Sequence, residues 1–256
     1  CVIDFQGLIK SGILTYLSGA PVRIGFSWAA AKEPLASICY MQKVTPHRIH
    51  IIEQLQELLS PLGVPVHRQT SPLFAPEAAH EAIRHQIHDL SGFVLINPGG
   101  GWATKKWPAE RFLTLARQLV QKGIPVVMTC APGEERLLDK IDLHSEEGLY
   151  KMVTTLEELV ALCTWARLFV GGDTGPHHIA SAMGVPVVAL FGPTSSERNG
   201  RINKGDVIVE QTLPCRPCYK RNQCPLGHWD CMEKITVEMV LETCISRLSE
   251  KKGERS

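Results

Sequence analysis

The chain predicts an α/β fold built on a parallel sheet with helices on both faces, and three observations predict it. From residue 93 onward, short apolar runs alternate with helical patterns over about 100 residues, the signature of β-α-β units. The runs end in loops at 98–106, 131–135 and 171–178, which in such a sheet all lie at the carboxyl edge where ligands bind. The third observation is the stretch G-G-D-T-G-P-H-H at 171–178. It follows Leu168-Phe169-Val170 and precedes the small-residue run Ile179–Gly184 and the apolar run Pro186–Gly192. That order reads as strand, turn, short helix, strand.

The earlier elements follow in order. Val2–Phe5 reads as a strand, Leu8–Leu17 as a helix and Pro21–Phe26 as a strand. Ile49–Leu59 has apolar residues at helical spacing and stops at Pro61. Residues 60–78 carry Pro61, Pro65, Pro72 and Pro76 and read as a linker or irregular strand region. The expected division is a partial N-terminal domain over 1–78 and a second domain over 79–256. Within the second, Phe93–Asn97 is a strand. The helix Pro108–Lys122 has Pro in its first turn and Gly123 just past its end. Ile124–Cys130 is the next strand, and Ala131–Glu135 opens a further helix. Thr155 and Glu158 form a capping box ahead of Leu159–Leu162. A helix closes the C-terminus.

Composition narrows the function classes. The chain has 256 residues, 44% apolar, and a formal net charge of +1, unlike the strongly basic surface of a dedicated nucleic-acid binder. No apolar run approaches the roughly 20 residues of a membrane-spanning helix. The start at Cys1-Val2-Ile3-Asp4-Phe5 lacks the basic and apolar regions of a signal peptide and has no Met. It opens inside a strand and is read as a fragment. Of nine cysteines, Cys1, Cys39, Cys130, Cys163 and Cys244 are scattered, as expected of reduced thiols. Cys215, Cys218, Cys224 and Cys231 cluster.

Four segments carry chemistry. In 97–107, N-P-G-G-G-W-A-T-K-K-W, the glycines allow close backbone approach and Thr104, Lys105 and Lys106 supply a hydroxyl and charge. The plain alternative is a glycine turn with solvated lysines. Glu134 stands at a strand end, where an acidic residue holds a ribose in doubly wound folds; alternatively it is a helix-start carboxylate. In 171–178, Asp173 suits sugar hydroxyls or orients the turn. Thr174 and Gly175 present backbone amides at a helix N-terminus, and His178 lies on the first helical turn. The bland reading makes His177 and His178 an exposed helix start. Cys215, Cys218, Cys224 and Cys231 match a four-thiolate zinc site in number, although the second pair lacks tight spacing. His228 is a substitute ligand. The other reading is a loop with partly buried thiols. Arg216, Lys220 and Arg221 form a local basic patch there. No Gly-x-Ser-x-Gly elbow, Walker loop, His-Glu-x-x-His or paired glycosidase carboxylates are present.

Taken together, K-K-W-P (105–108), A-P-G-E-E (131–135), G-G-D-T-G-P-H-H-I-A-S-A-M-G-V-P (171–186) and A-L-F-G-P-T (189–194) resemble glycosyltransferase family 9, the bacterial heptosyltransferases. Upstream, Asp4–Ser11 (D-F-Q-G-L-I-K-S) is similar to the family's D-x-Q-G-L-x-K-S stretch. Within the family, Ala31–Ser37 is more similar to type I members and the Cys-rich stretch to type II relatives.

The resemblance implies a GT-B fold of two Rossmann-like domains facing a cleft, with the N-terminal domain truncated. It implies an inverting, metal-independent transferase in lipopolysaccharide biosynthesis. The donor would be ADP-L-glycero-D-manno-heptose and the acceptor the Kdo region of the inner core. Localisation would be cytoplasmic and peripheral at the inner membrane. Carried over by position, Lys105, Asp173, Thr174, Gly175 and His178 would hold the donor, with Thr104 of the glycine loop a further donor-binding candidate. Lys105 and the backbone at Thr174 and Gly175 would take its pyrophosphate, Glu134 its ribose, and Lys10 would serve the acceptor. The family's general base would lie upstream of Cys1, so this chain would bind nucleotide weakly and transfer little sugar. Arg23, Lys32, Lys43, His47 and Arg48 are the candidates for contact with a lipid surface, or ordinary solvated surface. The alternatives are a non-catalytic nucleotide-sugar-binding module, a zinc-stabilised interaction protein, and a family member using another sugar.

Overall fold

The structure is a computed structural model that describes residues 1–65, 73–87, 90–139 and 147–253, with side chains described as far as 250. It divides into two compact units, Cys1–Gln69 and Thr70–Ser256. No helix among the described residues is long and apolar enough to cross a membrane.

The first unit holds a parallel sheet of β1 (Val2–Ile3), β2 (Arg23–Phe26) and β3 (Gln42–Val44), in that order. Helix α1 (Ile9–Leu17) connects β1 to β2, and α2 (Ile51–Glu57) follows β3. Its small core contains Phe26, Ala31 and Leu58. Strand β3 is not legible in the sequence. It is three residues long and mostly exposed, so it carries no apolar period.

The second unit begins earlier than the expected boundary at 78/79, because α3 (Glu77–Ile87) spans that boundary. This helix buries Ala79, Ile83 and Ile87 in the second unit's core. The i, i+4, i+8 spacing of those residues puts them on one helical face. Of the expected linker, residues 66–72 lie outside the described residues.

Six parallel strands follow: β4 (Phe93–Asn97), β5 (Val126–Cys130), β6 (Leu149–Val153), β7 (Ala166–Gly172), β8 (Val187–Phe191) and β9 (Val207–Glu210). Their order is β6-β5-β4-β7-β8-β9, every neighbouring pair parallel. That is the doubly wound order, with its switch point between β4 and β7. Strands β4, β5 and β8 are buried along their whole length, as parallel strands covered on both faces must be. On one face, Val94, Ile96, Val126, Met128, Leu168 and Val170 pack with α4 (Ala109–Gln121) and α9 (Val237–Gly253). On the other, Phe93, Leu95, Val127 and Phe169 pack with α3, α5 (Leu156–Cys163) and α6 (Gly175–Ala182). Short helices α7 (Ser196–Asn199) and α8 (Asp230–Glu233) complete the unit.

Three expectations change in detail. The helix expected to open at Ala131–Glu135 is, among the described residues, a 3-10 turn over Glu135–Leu137; residues 140–146 lie outside the description. The glycine stretch is shorter as a turn than expected, since Gly171 and Gly172 belong to β7 and Gly175 already opens α6. Edge strands β6 and β9 were not expected; both expose residues to solvent and lack the long apolar run of the inner strands.

Candidate functional site

The site lies at the carboxyl ends of β4, β5 and β7, on both sides of the switch point. Asn97 ends β4 and organises the first loop: its amide donates to the Thr129 carbonyl at 3.1 Å, and its Oδ1 accepts from the Gly99 N–H at 3.1 Å. Gly171 is required opposite it, since a Cβ there would stand 2.9 Å from the Phe169 ring and 3.1 Å from the Asn97 carbonyl. A Cβ at Gly99 would come within 2.8 Å of a Glu134 carboxylate oxygen. The glycine therefore lets that acid approach the loop.

These loops enclose a cavity of about 330 Å³. Gly99–Gly101 form one side, Pro132 and Glu134 a second, Leu156 and Leu159 a third, and Thr174–Pro176 the last. Thr174 is the N-cap of α6 in extended conformation, with no side-chain capping bond. Pro176 has no N–H, so the Gly175 amide is the donor that opens α6 without an acceptor in the helix, at the positive end of its dipole. Lined by apolar side chains, a carboxylate and an amide donor, the cavity suits a ligand with a flat apolar part, hydroxyls and phosphate.

Asp173 adjoins this cavity between β7 and Thr174, and it is 4% exposed. Its Oδ2 meets Lys105 Nζ at 2.6 Å and accepts from the Thr194 hydroxyl at 2.7 Å. Asn199 Nδ2 stands 3.5 Å from the same oxygen. Lys105 Nζ also donates to the Asp173 carbonyl at 3.1 Å. His178 Nε2 lies 3.7 Å from Oδ1. Burial alone would raise the Asp173 pKa. The hydrogen bonds of His178, Lys105 and Thr194, and the Lys105 charge, outweigh burial and hold the carboxyl well below its usual range. Asp173 is thus a fixed anion, and Lys105, His178 and Thr194 are oriented by it.

Lys105 Nζ also sits 4.4 Å from the Trp102 ring centroid, and the Arg221 guanidinium sits 4.7 Å from it. Glu134, Asp173, Thr174 and Gly175 are brought together with Lys105 and His178. Thr104 is not: it is 3% exposed, and its hydroxyl donates to the carbonyls of Lys220 at 2.5 Å and Arg221 at 3.1 Å. It ties the glycine loop to the Cys-rich segment. His177 is fully buried, edge-on to Phe191, rather than an exposed helix start. Lys10 is exposed on α1 in the other unit.

The Cys-rich segment brings its four thiols into one neighbourhood, where the charges of Cys215, Cys218 and Cys224 act on Cys231. Cys215, Cys218, Cys224 and Cys231 are free, half-buried thiols. Among the described residues, the one group of three or more potential ligand atoms within 4.8 Å of one another is Asp173, His177 and His178. His228, the substitute ligand of the sequence, pairs with Asp230 at 3.5 Å. At Asp173 the Lys105 ammonium already occupies the cation position. Nor is Arg216 part of a surface basic patch. Its side chain is 10% exposed and held by Glu210 Oε2 at 2.7 Å.

Residues 1–230 match the family model described as glycosyltransferase family 9 (heptosyltransferase). The chain belongs to glycosyltransferase family 9. It is 29% identical over 227 residues to lipopolysaccharide heptosyltransferase 1 of Pseudomonas aeruginosa, covering 86% of this chain and 62% of that protein. The chain thus spans about six-tenths of that relative's length. Among solved structures it is similar to E. coli heptosyltransferase WaaC with ADP, with TM-score 0.69, 22% identity, and 96% and 72% of the two chains covered. It is also similar to the family 9 glycosyl transferase of Veillonella parvula, with TM-score 0.79, 20% identity, and 97% and 73% covered. These likenesses show the GT-B fold, and the parallel α/β units described above are consistent with it.

Sequence reasoning missed Thr194, Asn199, Trp102 and Asn97. Asn97 and Thr194 each stand at or just past the carboxyl end of a parallel strand. That position is the signal that could have singled them out.

Proposed function

We propose that this chain binds ADP-heptose in the cavity beside Asp173 and belongs to an inverting transferase that adds heptose to the Kdo region of the lipopolysaccharide inner core. The single observation that carries the reading is the assembly at one switch point of a lysine, a buried carboxylate and a helix N-terminus. In this reading the adenine lies against Leu156, Leu159 and Pro132. Glu134 accepts from the ribose hydroxyls, and the Gly175 amide that opens α6 receives the pyrophosphate. Lys105 carries three N–H donors and makes two hydrogen bonds to Asp173, which leaves one for a phosphate oxygen. The heptose lies towards Asp173 and His178.

The chemistry follows from charge. Breaking the sugar–phosphate bond builds negative charge on the leaving ADP. Lys105 and the α6 terminus are preorganised to receive it, and the Asp173 carboxylate keeps the ammonium in place before the charge develops. The same two features can take the place of a divalent cation at the pyrophosphate. Thr104 acts on the donor only indirectly, by fixing the loop that carries Lys105. Lys10 is assigned to the acceptor, and the lipid-linked acceptor makes contact with the inner membrane peripheral. Calorimetry with ADP-heptose, ADP, UDP and GDP tests the proposal. ADP and ADP-heptose should bind in preference to the other two, and preference for UDP would sink it.

A further inference from the structure

The Cys-rich segment has no part in the reading above, yet it touches the loops that carry two of the Asp173 partners, Lys105 and Thr194. Three successive carbonyls after β8 are taken by this segment. The Gly192 carbonyl accepts from Arg216 Nε. The Pro193 carbonyl accepts from the Cys218 and Tyr219 amides at 3.0 and 2.9 Å. The Thr194 carbonyl faces Arg216 Nη2 at 3.4 Å. Arg216 Nη1 donates to the Gln211 carbonyl, and Nη2 binds the Glu210 carboxylate at the end of β9. Four and five residues after Arg216, at Lys220 and Arg221, the segment meets the loop that carries Lys105: the Thr104 hydroxyl and N–H both bond to it, and Arg221 lies against Trp102. Lys105 follows Thr104 directly, and Thr194 is the residue whose hydroxyl holds Asp173.

We propose that Arg216 is a positioning residue for the donor site, locking the turn 192–194 so that the Thr194 hydroxyl stays on Asp173. A guanidinium is suited to the task because its donors form a rigid planar fork that engages several acceptors at fixed angles. Here the fork spans the Gly192, Thr194 and Gln211 carbonyls and is anchored by a carboxylate. A lysine would keep the charge and lose the geometry. The role accounts for a nearly buried arginine in a segment whose sequence reads as a basic surface loop. It rests on the reading of the Asp173 cavity as a donor site, but its primary test does not.

That test follows the Asp173 carboxyl by NMR in the ligand-free chain as pH falls, in wild type, Arg216→Gln, Arg216→Lys, Thr194→Val and the double variant Arg216→Gln/Thr194→Val. Loss of the Thr194 bond moves the carboxyl up towards its ordinary range. Arg216→Gln and Arg216→Lys should each raise it, and the double variant should rise no further than Thr194→Val alone, because both act through one hydroxyl. Val240→Ala, in the core of the same unit, lowers Tm and leaves the titration unchanged. ADP-heptose affinity, read by calorimetry, should fall about tenfold in Arg216→Gln. The proposal is overturned if Arg216→Gln titrates as wild type does, or if the two single changes add. If the titration responds while wild type binds no ADP-heptose, the brace stands and the donor reading falls.

Discussion

Two carboxylates in this molecule look alike on paper and differ in what holds them. Asp4 and Asp173 each follow a parallel strand, precede a helix and are 4% exposed. Asp4 is surrounded by neutral donors: the Tyr40 hydroxyl at 2.6 Å, the Ser11 hydroxyl at 2.7 Å, and the Gln6 and Gly7 amides at 2.8 and 3.4 Å. Three of these donors lie within seven residues, so Asp4 mainly closes its own turn. Burial, joined by the Asp4 carboxylate, raises the Tyr40 pKa and keeps its hydroxyl a donor. Asp173 draws its partners from β4's loop, β8's loop and α6, and one of them is a cation. A buried carboxylate that shapes a turn is satisfied by neutral amides and hydroxyls, most of them local. One that orients a charge for a ligand takes its partners from separate strands at the switch point.

The largest expected effect comes from removing the cation. Lys105→Met leaves Asp173 buried without a counter-charge, which should destabilise the chain by about 3–5 kcal/mol and abolish measurable ADP-heptose binding. Urea denaturation and calorimetry read the two effects. Unchanged binding would remove the contrast between the two carboxylates. Next comes Asp4→Asn, which weakens a neutral network and should cost about 1–3 kcal/mol while leaving donor affinity in the second unit as it is. A loss of affinity there would show that Asp4 does more than close a turn.

The acid limb sharpens the comparison further. The folded-state pKa of Asp173 is depressed, so its contribution to stability is complete above the ordinary carboxylate value of about 4 and fades as pH falls below that. Asp173→Asn should flatten the loss of stability below pH 4. An acid limb as steep as that of wild type would remove Asp173 as its source. A smaller change is expected from Gly99→Ala, whose methyl meets the Glu134 carboxylate; it should weaken ADP binding severalfold with little change in Tm. The smallest effect is kinetic. Burial pushes the Cys163 and Cys244 thiols up to about 12, and burial with nearby carboxylates pushes Cys130 up to about 11. At pH 8 these three should resist alkylation until the chain unfolds, while Cys1 and Cys39 react in the native state. Mass spectrometry of the labelled peptides distinguishes the two groups.

Much of the second unit was legible because its elements obey local rules. The capping box predicted at Thr155 and Glu158 is present, with Thr155 N–H to Glu158 Oε2 at 2.8 Å. Gly123 ends α4 with positive φ, as its position past the helix suggested. Strands β4, β5, β7 and β8 are apolar because both faces are covered, and continuous apolar runs announce that. Helix α3 was missed because its apolar face is Ala79, Ile83 and Ile87 among charged residues. The edge strands carry no such run.

The sequence by itself determined the layered α/β class, the three glycine-bearing loops and the residue types available for phosphate, ribose and sugar. Each follows from periodicity, capping or backbone freedom within a few neighbouring positions. Only the tertiary structure decided which of those residues meet. It joined Lys105 to Asp173 across 68 positions and brought Thr194 to the same oxygen. It also turned Thr104 towards the Cys-rich segment, and it placed Arg216 inside the fold instead of on its surface. Strand order sets those meetings, because the doubly wound sheet places β4 beside β7, and no local pattern encodes which strands become neighbours.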